Sequence, residues 1–393
     1  MKILYITLEN LSFHKGSVVH VKEIVNGLRK IGHHVGLVAC SLNKSEEADL
    51  FYNLNIMTSV MLRVFSFKKQ PYMVSSIFLF IYLFRILPQY DIIYARDFHT
   101  VIVALLPRII FKKKLVFEMN GIAHEEQKLK SHSISNRILV YFIRKAEKMA
   151  TRYSGKIISV TPHIGTYLVD HYNCASDKVI VIANGVNTKI FYPIRDEALL
   201  ENWRKKLGIT KEEIIIVFVG NLAPWQGVET LIEAAPFLLR EIRNIRFLII
   251  GDGILRESFE TKVKSLGVED HFTFTGMVDH QEIPLYLNIA DICVLPKRRL
   301  KSGYSPIKLY EYMACGKPVV ASRVEGLELI EEEGTGRLTE PEDILSLEKT
   351  LYNLIEEPQE RLMMGGKGFQ IARERFSWES RVTQIEEVLK KMA

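Results

Sequence analysis

The sequence predicts an α/β protein built from two doubly wound units, each on a parallel sheet. Short β-branched runs alternate with helical stretches from one end to the other, the pattern of parallel βαβ construction. Several runs stop at Gly or Asn, and open parallel sheets hold ligands just beyond the carboxyl ends of their strands. At 393 residues the chain suits two or three domains, with a two-domain core as the simplest reading.

In order, the strand candidates of the first half are KILYITL, HVGLVAC, LRVFSF, DIIYAR, KLVFEMN, KIISVT and VIVIANG. Those of the second half are IIIVFVGN, RFLIIGDG, FTFTG, ICVLP and PVVAS. Between the halves, Phe191-Tyr192-Pro193 and the charged stretch RDEALLENWRKK read as a linker. No low-complexity run or long-period repeat interrupts the pattern.

Hydrophobic residues make up 48% and charged residues 25%, which excludes a disordered, collagenous or polytopic membrane protein. The four cysteines, Cys40, Cys174, Cys293 and Cys315, are scattered without a C-x-x-C pair, against a disulfide framework or structural zinc. Met1 leads directly into a strand rather than a signal core, so a cytoplasmic location is expected. The net charge of +6 hides an asymmetry: residues 1–195 hold 26 basic and 13 acidic side chains, residues 196–393 hold 26 and 33. A positive half suggests a polyanionic partner, nucleic acid or an anionic membrane surface. From Gln70 to Phe84 the chain has 15 uncharged residues, short of the ~20 of a spanning helix. That segment reads either as a helix packed on a sheet or as an interfacial helix.

Three segments carry chemistry. Gly16 opens an amphipathic helix after the first strand, where a glycine lets a phosphate approach helix N-terminal amides, or where it is only a turn residue. His20 in that helix reads as a packing residue. The stretch 220–227, GNLAPWQG, again joins strand to helix through glycines, but no Walker A loop occurs in the chain. In residues 302–322, SGYSPIKLYEYMACGKPVVAS, Glu311 lies one turn inside a helix and Lys308 three residues before it on the same face. A carboxylate there can accept from a vicinal diol such as ribose, beside a cation for phosphate.

This third segment resembles the C-terminal motif of the retaining GT-B glycosyltransferases of the "glycosyl transferases group 1" (family 4-like) family, E-x7-E followed by AMACGKPVV. The Gly16 loop, Asn184-Gly185-Val186-Asn187, the 220–227 loop, LIIGDGILRESFE, FTGMVDHQEIPLYLNIADICVLP and FSWESRV follow in the same order. The resemblance implies two facing Rossmann-like domains: 1–192 holding the acceptor, and 193–376 holding the nucleotide-sugar donor. The last helix, 377–393, would cross back to the first domain. It implies sugar transfer from a UDP- or GDP-linked donor to a glycan or lipid-linked acceptor, with retention, in cell-surface polysaccharide or glycolipid assembly.

By motif, Glu311 matches the ribose-binding Glu, Gly16 the loop glycine near the diphosphate, and Met277 the base-binding segment. Gly303, Tyr304 and Ser305 fall in the donor loop. The chain has no D-x-D, in keeping with a metal-independent enzyme without a cofactor. It also departs from the family: the first Glu of E-x7-E falls at Gly303, loop cations are replaced by Asn221 and Gln226, and the His after the fifth strand by Asn120. Asn120, Lys308 and Glu311 are therefore the expected catalytic residues. Lys308 is expected to supply the missing diphosphate charge, with Arg298, Arg299 and Lys301 as rivals. A nucleotide-sugar-binding protein without catalysis and a sugar-nucleotide 2-epimerase remain alternatives. Lys128, Lys130, Arg137, Arg144, Lys145, Lys148 and Arg152 around ILVYFI suggest docking on an anionic membrane at its cytoplasmic face. Nucleic acid is not expected, since no recognised nucleic-acid module accompanies the charge.

Overall fold

The computed structural model describes residues 1–11, 16–40, 51–53, 72–128, 131, 133–300, 304 and 306–392, and the chain forms two compact units. The first comprises Met1–Asn184 with Trp378–Ala393, and the second Gly185–Ser377.

The first unit holds a parallel sheet of order β3-β2-β1-β4-β5-β6-β7. Its strands are β1 (Lys2–Asn10), β2 (His34–Cys40), β3 (Phe51–Asn53), β4 (Ile92–Ala95), β5 (Lys114–Met119), β6 (Lys156–Ser159) and β7 (Val179–Val181). β1 pairs with both β2 and β4, and Ile3 to Ile6 are wholly buried, as a central strand covered on both faces must be. The helices are α1 (Gly16–Lys30), α2 (Tyr72–Ile86), α3 (Phe98–Ile110), α4 (Ala123–Lys128), α5 (Ile134–Tyr153) and α6 (Pro162–Tyr172). One face is covered by α1 and the C-terminal helix, Trp378–Met392, where Val21, Ile24 and Leu28 share a core with Val382, Ile385 and Leu389. The expected return of the last helix to the first unit is thus observed. On the other face α2 contributes Leu79 and Leu83 to the core while Ile77 and Ile81 stay exposed. No helix among the described residues is long and apolar enough to cross a membrane.

The second unit holds a parallel sheet of order β10-β9-β8-β11-β12-β13. Its strands are β8 (Ile214–Val219), β9 (Ile245–Ile250), β10 (Phe272–Gly276), β11 (Ile292–Leu295), β12 (Val319–Ser322) and β13 (Gly336–Thr339). Its helices are α7 (Glu197–Lys206), α8 (Val228–Glu241), α9 (Arg256–Ser265), α10 (Ile283–Ile289), α11 (Ile307–Ala314), α12 (Leu329–Glu332), α13 (Ile344–Glu356) and α14 (Pro358–Arg375). Strand order reverses between β1 and β4 in one sheet and between β8 and β11 in the other, and such switch points are where doubly wound folds open a ligand crevice.

The structure differs from the sequence reading in three respects. The charged stretch read as a linker contains α7: Asp196 caps it by accepting from the Leu199 amide at 3.0 Å, and Trp203 packs edge-on against Tyr286. Residues 185–192 group with the second unit, where Val186 N donates to Phe376 O at 2.8 Å and Asn288 Nδ2 to Tyr192 O at 3.0 Å. The edge strands β3 and β13 had no counterpart among the strand candidates. The candidate LRVFSF lies outside the described residues.

Candidate functional site

The carboxyl ends of β8, β9 and β11 are brought together by backbone contact. Gly227 begins α8 with φ +69°, and a Cβ there would lie 1.7 Å from Pro296 O, so only glycine fits. Gly251 is likewise close, since its Cβ would meet Gly220 O at 1.9 Å. The loop after β8 is pinned by Gly220 N to Ile250 O at 2.9 Å and Leu222 N to Asp252 O at 2.9 Å. Asn221 is exposed beside Gly253, and Met277, just past β10, is 79% exposed.

α11 carries Glu311 into this end of the sheet. Leu309, Tyr310, Tyr312 and Met313 are buried, and the Tyr312 hydroxyl accepts from Val219 N at 2.8 Å, tying the helix to the tip of β8. Glu311 is 4% exposed; Lys308 Nζ donates to its Oε2 at 2.7 Å and His280 Nε2 lies 3.5 Å from Oε1. Burial alone would raise the Glu311 carboxyl, but Lys308 and His280 hold it below the usual carboxylate range, so it is an ionised acceptor at neutral pH. Lys308 and Glu311 therefore meet, as their spacing predicts. Gly303, Ser305 and Lys301 lie outside the described residues. Tyr304 is described: its hydroxyl is 2.6 Å from Arg298 O and 2.9 Å from Trp225 O.

The sequence reading missed two residues here. His280 follows β10 by four positions and reaches Glu311. Lys297, two residues past β11, donates through Nζ to Gln226 Oε1 and lies over the Tyr304 ring, 4.9 Å from its centroid. Of the rivals named from the sequence, Arg298 and Arg299 are engaged elsewhere. Arg298 pairs with Glu229 and Glu342, both at 3.1 Å, and Arg299 with Glu340 at 3.5 Å.

In the first unit Gly16 is the exposed first residue of α1, and Asn120 follows β5. Asn120 Nδ2 donates to Glu118 Oε1 at 2.7 Å, the buried carboxylate on which this end of the sheet converges. Tyr94 OH donates to Glu118 Oε2 at 2.5 Å, His20 Nε2 lies 2.6 Å from Oε1, and Arg96 Nε is 3.8 Å away. Burial pushes the Glu118 carboxyl up, but His20, Arg96 and Tyr94 outweigh it and hold it at about 2. His20 is also buried against Trp378, so its ring packs in the core while its Nε2 meets Glu118. His124 is bound to buried Glu147 through Nδ1 at 2.7 Å, with Tyr172 OH on the same carboxylate at 2.8 Å, a self-contained structural cluster.

Two doubly wound units, the second with a buried carboxylate and lysines at its switch point, define a two-domain α/β protein of the doubly wound class. Comparison with known proteins narrows this. "Glycosyltransferase Family 4" matches residues 14–190 and "Glycosyl transferases group 1" matches residues 200–370. The chain belongs to this family of glycosyltransferases and has its GT-B fold. It is 32% identical over 225 residues to D-inositol 3-phosphate glycosyltransferase of Corynebacterium efficiens, a match covering 56% of this chain and 52% of that protein. The chain thus spans about half the length of that relative. It is 27% identical over 382 residues to the uncharacterized glycosyltransferase MJ1607 of Methanocaldococcus jannaschii, covering 93% and 91% of the two chains. Among solved structures, Anabaena HepE in complex with UDP-glucose has the same fold, with a TM-score of 0.73, 20% identity and 100% of both chains covered.

The Glu118 network makes a pH prediction. Because its folded pKa lies below the unfolded value of about 4.3, its stabilisation is complete above that value and is lost as pH falls toward about 2. Urea titrations between about pH 5 and 2 should show wild type losing on the order of 3 kcal/mol relative to Glu118→Gln. Parallel pH profiles for the two proteins would refute an ionised Glu118.

Proposed function

We propose that the protein transfers a sugar from a nucleoside diphosphate sugar to an acceptor hydroxyl with retention of anomeric configuration. The observation that carries this reading is Glu311, a buried carboxylate kept ionised by Lys308 at the switch point of the second sheet. Such a carboxylate accepts from both hydroxyls of a ribose, and the neighbouring ammonium suits the adjoining phosphates. The acceptor oxygen bonds to the anomeric carbon as the bond from that carbon to the diphosphate oxygen breaks, and the leaving diphosphate takes the acceptor's proton. No metal is assigned to the step: the diphosphate charge is met by side chains and helix N-terminal amides. In the first unit Asn120 and Gly16 are assigned to the reacting end, with the Asn120 amide oriented by Glu118. UDP and GDP both remain candidate donors.

The acceptor is assigned to a glycan or lipid-linked class, met at the cytoplasmic face of an anionic membrane. α5 supports this: Ile134 is 77% and Phe142 61% exposed, with Ile138, Leu139 and Tyr141 also bare. Exposed Arg137, Arg144, Lys145 and Lys148 flank them. On neighbouring α3, Ile109 and Ile110 are exposed as well. Apolar side chains beside basic ones suit the interface of an anionic bilayer, where each charge contributes about 1 kcal/mol.

Release of UDP or GDP that requires a sugar acceptor, with the product's anomeric configuration read by NMR, tests the reaction. Nucleotide-sugar binding without acceptor-dependent release would make the chain a binding protein, and acceptor-free isomerisation an epimerase. Glu311→Ala in a folded protein should weaken nucleotide binding by about 1.5 to 3 kcal/mol, because two ribose hydroxyls lose a charged partner. For the membrane, sedimentation at low salt should show the protein on vesicles containing phosphatidylserine and not on pure phosphatidylcholine, with Ile138→Glu/Phe142→Glu abolishing the binding. Equal partitioning onto both vesicles contradicts electrostatic docking.

A further inference from the structure

We propose that Lys297 is a diphosphate-binding residue of the donor site, an ammonium held ready by Gln226 and Tyr304 that meets the phosphates beside Lys308. This rests on the donor reading of the second unit given above.

The second unit holds a cation whose charge is unmatched among the described residues. Lys308 shares its charge with Glu311, and Arg298 and Arg299 are neutralised by Glu229, Glu342 and Glu340. Lys297 is half-buried, and no carboxylate among the described residues pairs with it; its ammonium donates to the neutral Gln226 amide and faces the Tyr304 ring. An enclosed cation without an anion is costly unless a ligand supplies one. Its position fits a phosphate: it follows β11 at the switch point, against Gly227 at the start of α8. The absence of a cation at positions 221 and 226 is thereby explained, since a lysine from the next strand occupies the same loop and is fixed by Gln226.

Burial, followed by repulsion from Lys308, pulls the Lys297 ammonium down to about 7. The groups facing it are Lys308 of α11, Tyr304 and Gln226. A diphosphate beside it favours the protonated form, so the pKa rises on binding. Above neutrality Lys297 must therefore take up a proton as the ligand binds. A nucleoside, lacking phosphates, induces no uptake.

The test is calorimetric titration of the full chain with UDP and with GDP at about pH 8, in buffers of different ionisation enthalpy, with uridine and guanosine as controls. Wild type should take up about one proton with its preferred diphosphate and none with the nucleoside. Lys297→Met should abolish the uptake and weaken the diphosphate about tenfold to a hundredfold, leaving the nucleoside unchanged. Lys297→Arg, charged at every pH, should retain most of the affinity without uptake, and it decides the matter if the methionine variant fails to fold. Unchanged diphosphate affinity in Lys297→Met, or proton uptake persisting in either variant, overturns the assignment. If wild type binds neither diphosphate, the donor reading itself falls and Lys297 with it.

Discussion

The second unit depends on a backbone contact that tolerates no side chain, Gly227 against the carbonyl of Pro296. β8 and β11 are hydrogen-bonded neighbours, so the loops that leave them compete for the same space above the sheet. Glycine in the left-handed region resolves the competition and starts α8 in the same residue. Its consequence reaches the chemistry. Gln226 precedes that glycine and Lys297 follows that proline, so the approach of the two backbones brings amide and ammonium into hydrogen-bond contact. Tyr312 adds a second anchor, holding α11 to Val219 and with it the position of Glu311. A buried carboxylate and a lysine held by a neutral amide are thus fixed by main-chain geometry rather than by each other.

The two units treat buried charge in opposite ways. Glu118 is surrounded by donors from Tyr94, Asn120 and His20, with Arg96 nearby, and its charge is fully spent within the fold. The same holds for Glu147, which takes His124, Tyr172 and the Ala123 amide. In the second unit the balance is left open: Glu311 is shared between Lys308 and His280, and Lys297 meets no carboxylate among the described residues. Closed networks stabilise a fold, whereas an open one is poised for a charged ligand.

The parallel sheets, their alternating helices and the Lys308–Glu311 pair were legible because each is encoded locally, by β-branched runs or by a three-residue spacing on a helix. β13 was not, because GRLT offers one large apolar residue and sits at an edge with Arg337 exposed. α7 was hidden by its charge density, although Asp196 ahead of Leu199, Leu200 and Trp203 carries a capped, one-sided helix pattern. Lys297 could have been flagged by its place just past a strand. Its difference from Arg298 could not, because Glu229 and Glu342, which neutralise Arg298, lie far away in sequence. Likewise nothing local in EMNG announces that Glu118 would gather partners from β4, α1 and the β4–α3 turn.

Amide hydrogen exchange with and without a saturating nucleoside diphosphate tests the proposed donor site most directly. Binding at the switch point of the second sheet slows exchange in 220–228 and 307–312, the segments that carry Gln226, Gly227, Lys308 and Glu311. Protection confined to residues 1–184, with those two segments exchanging as in the free protein, would contradict a donor site in the second unit.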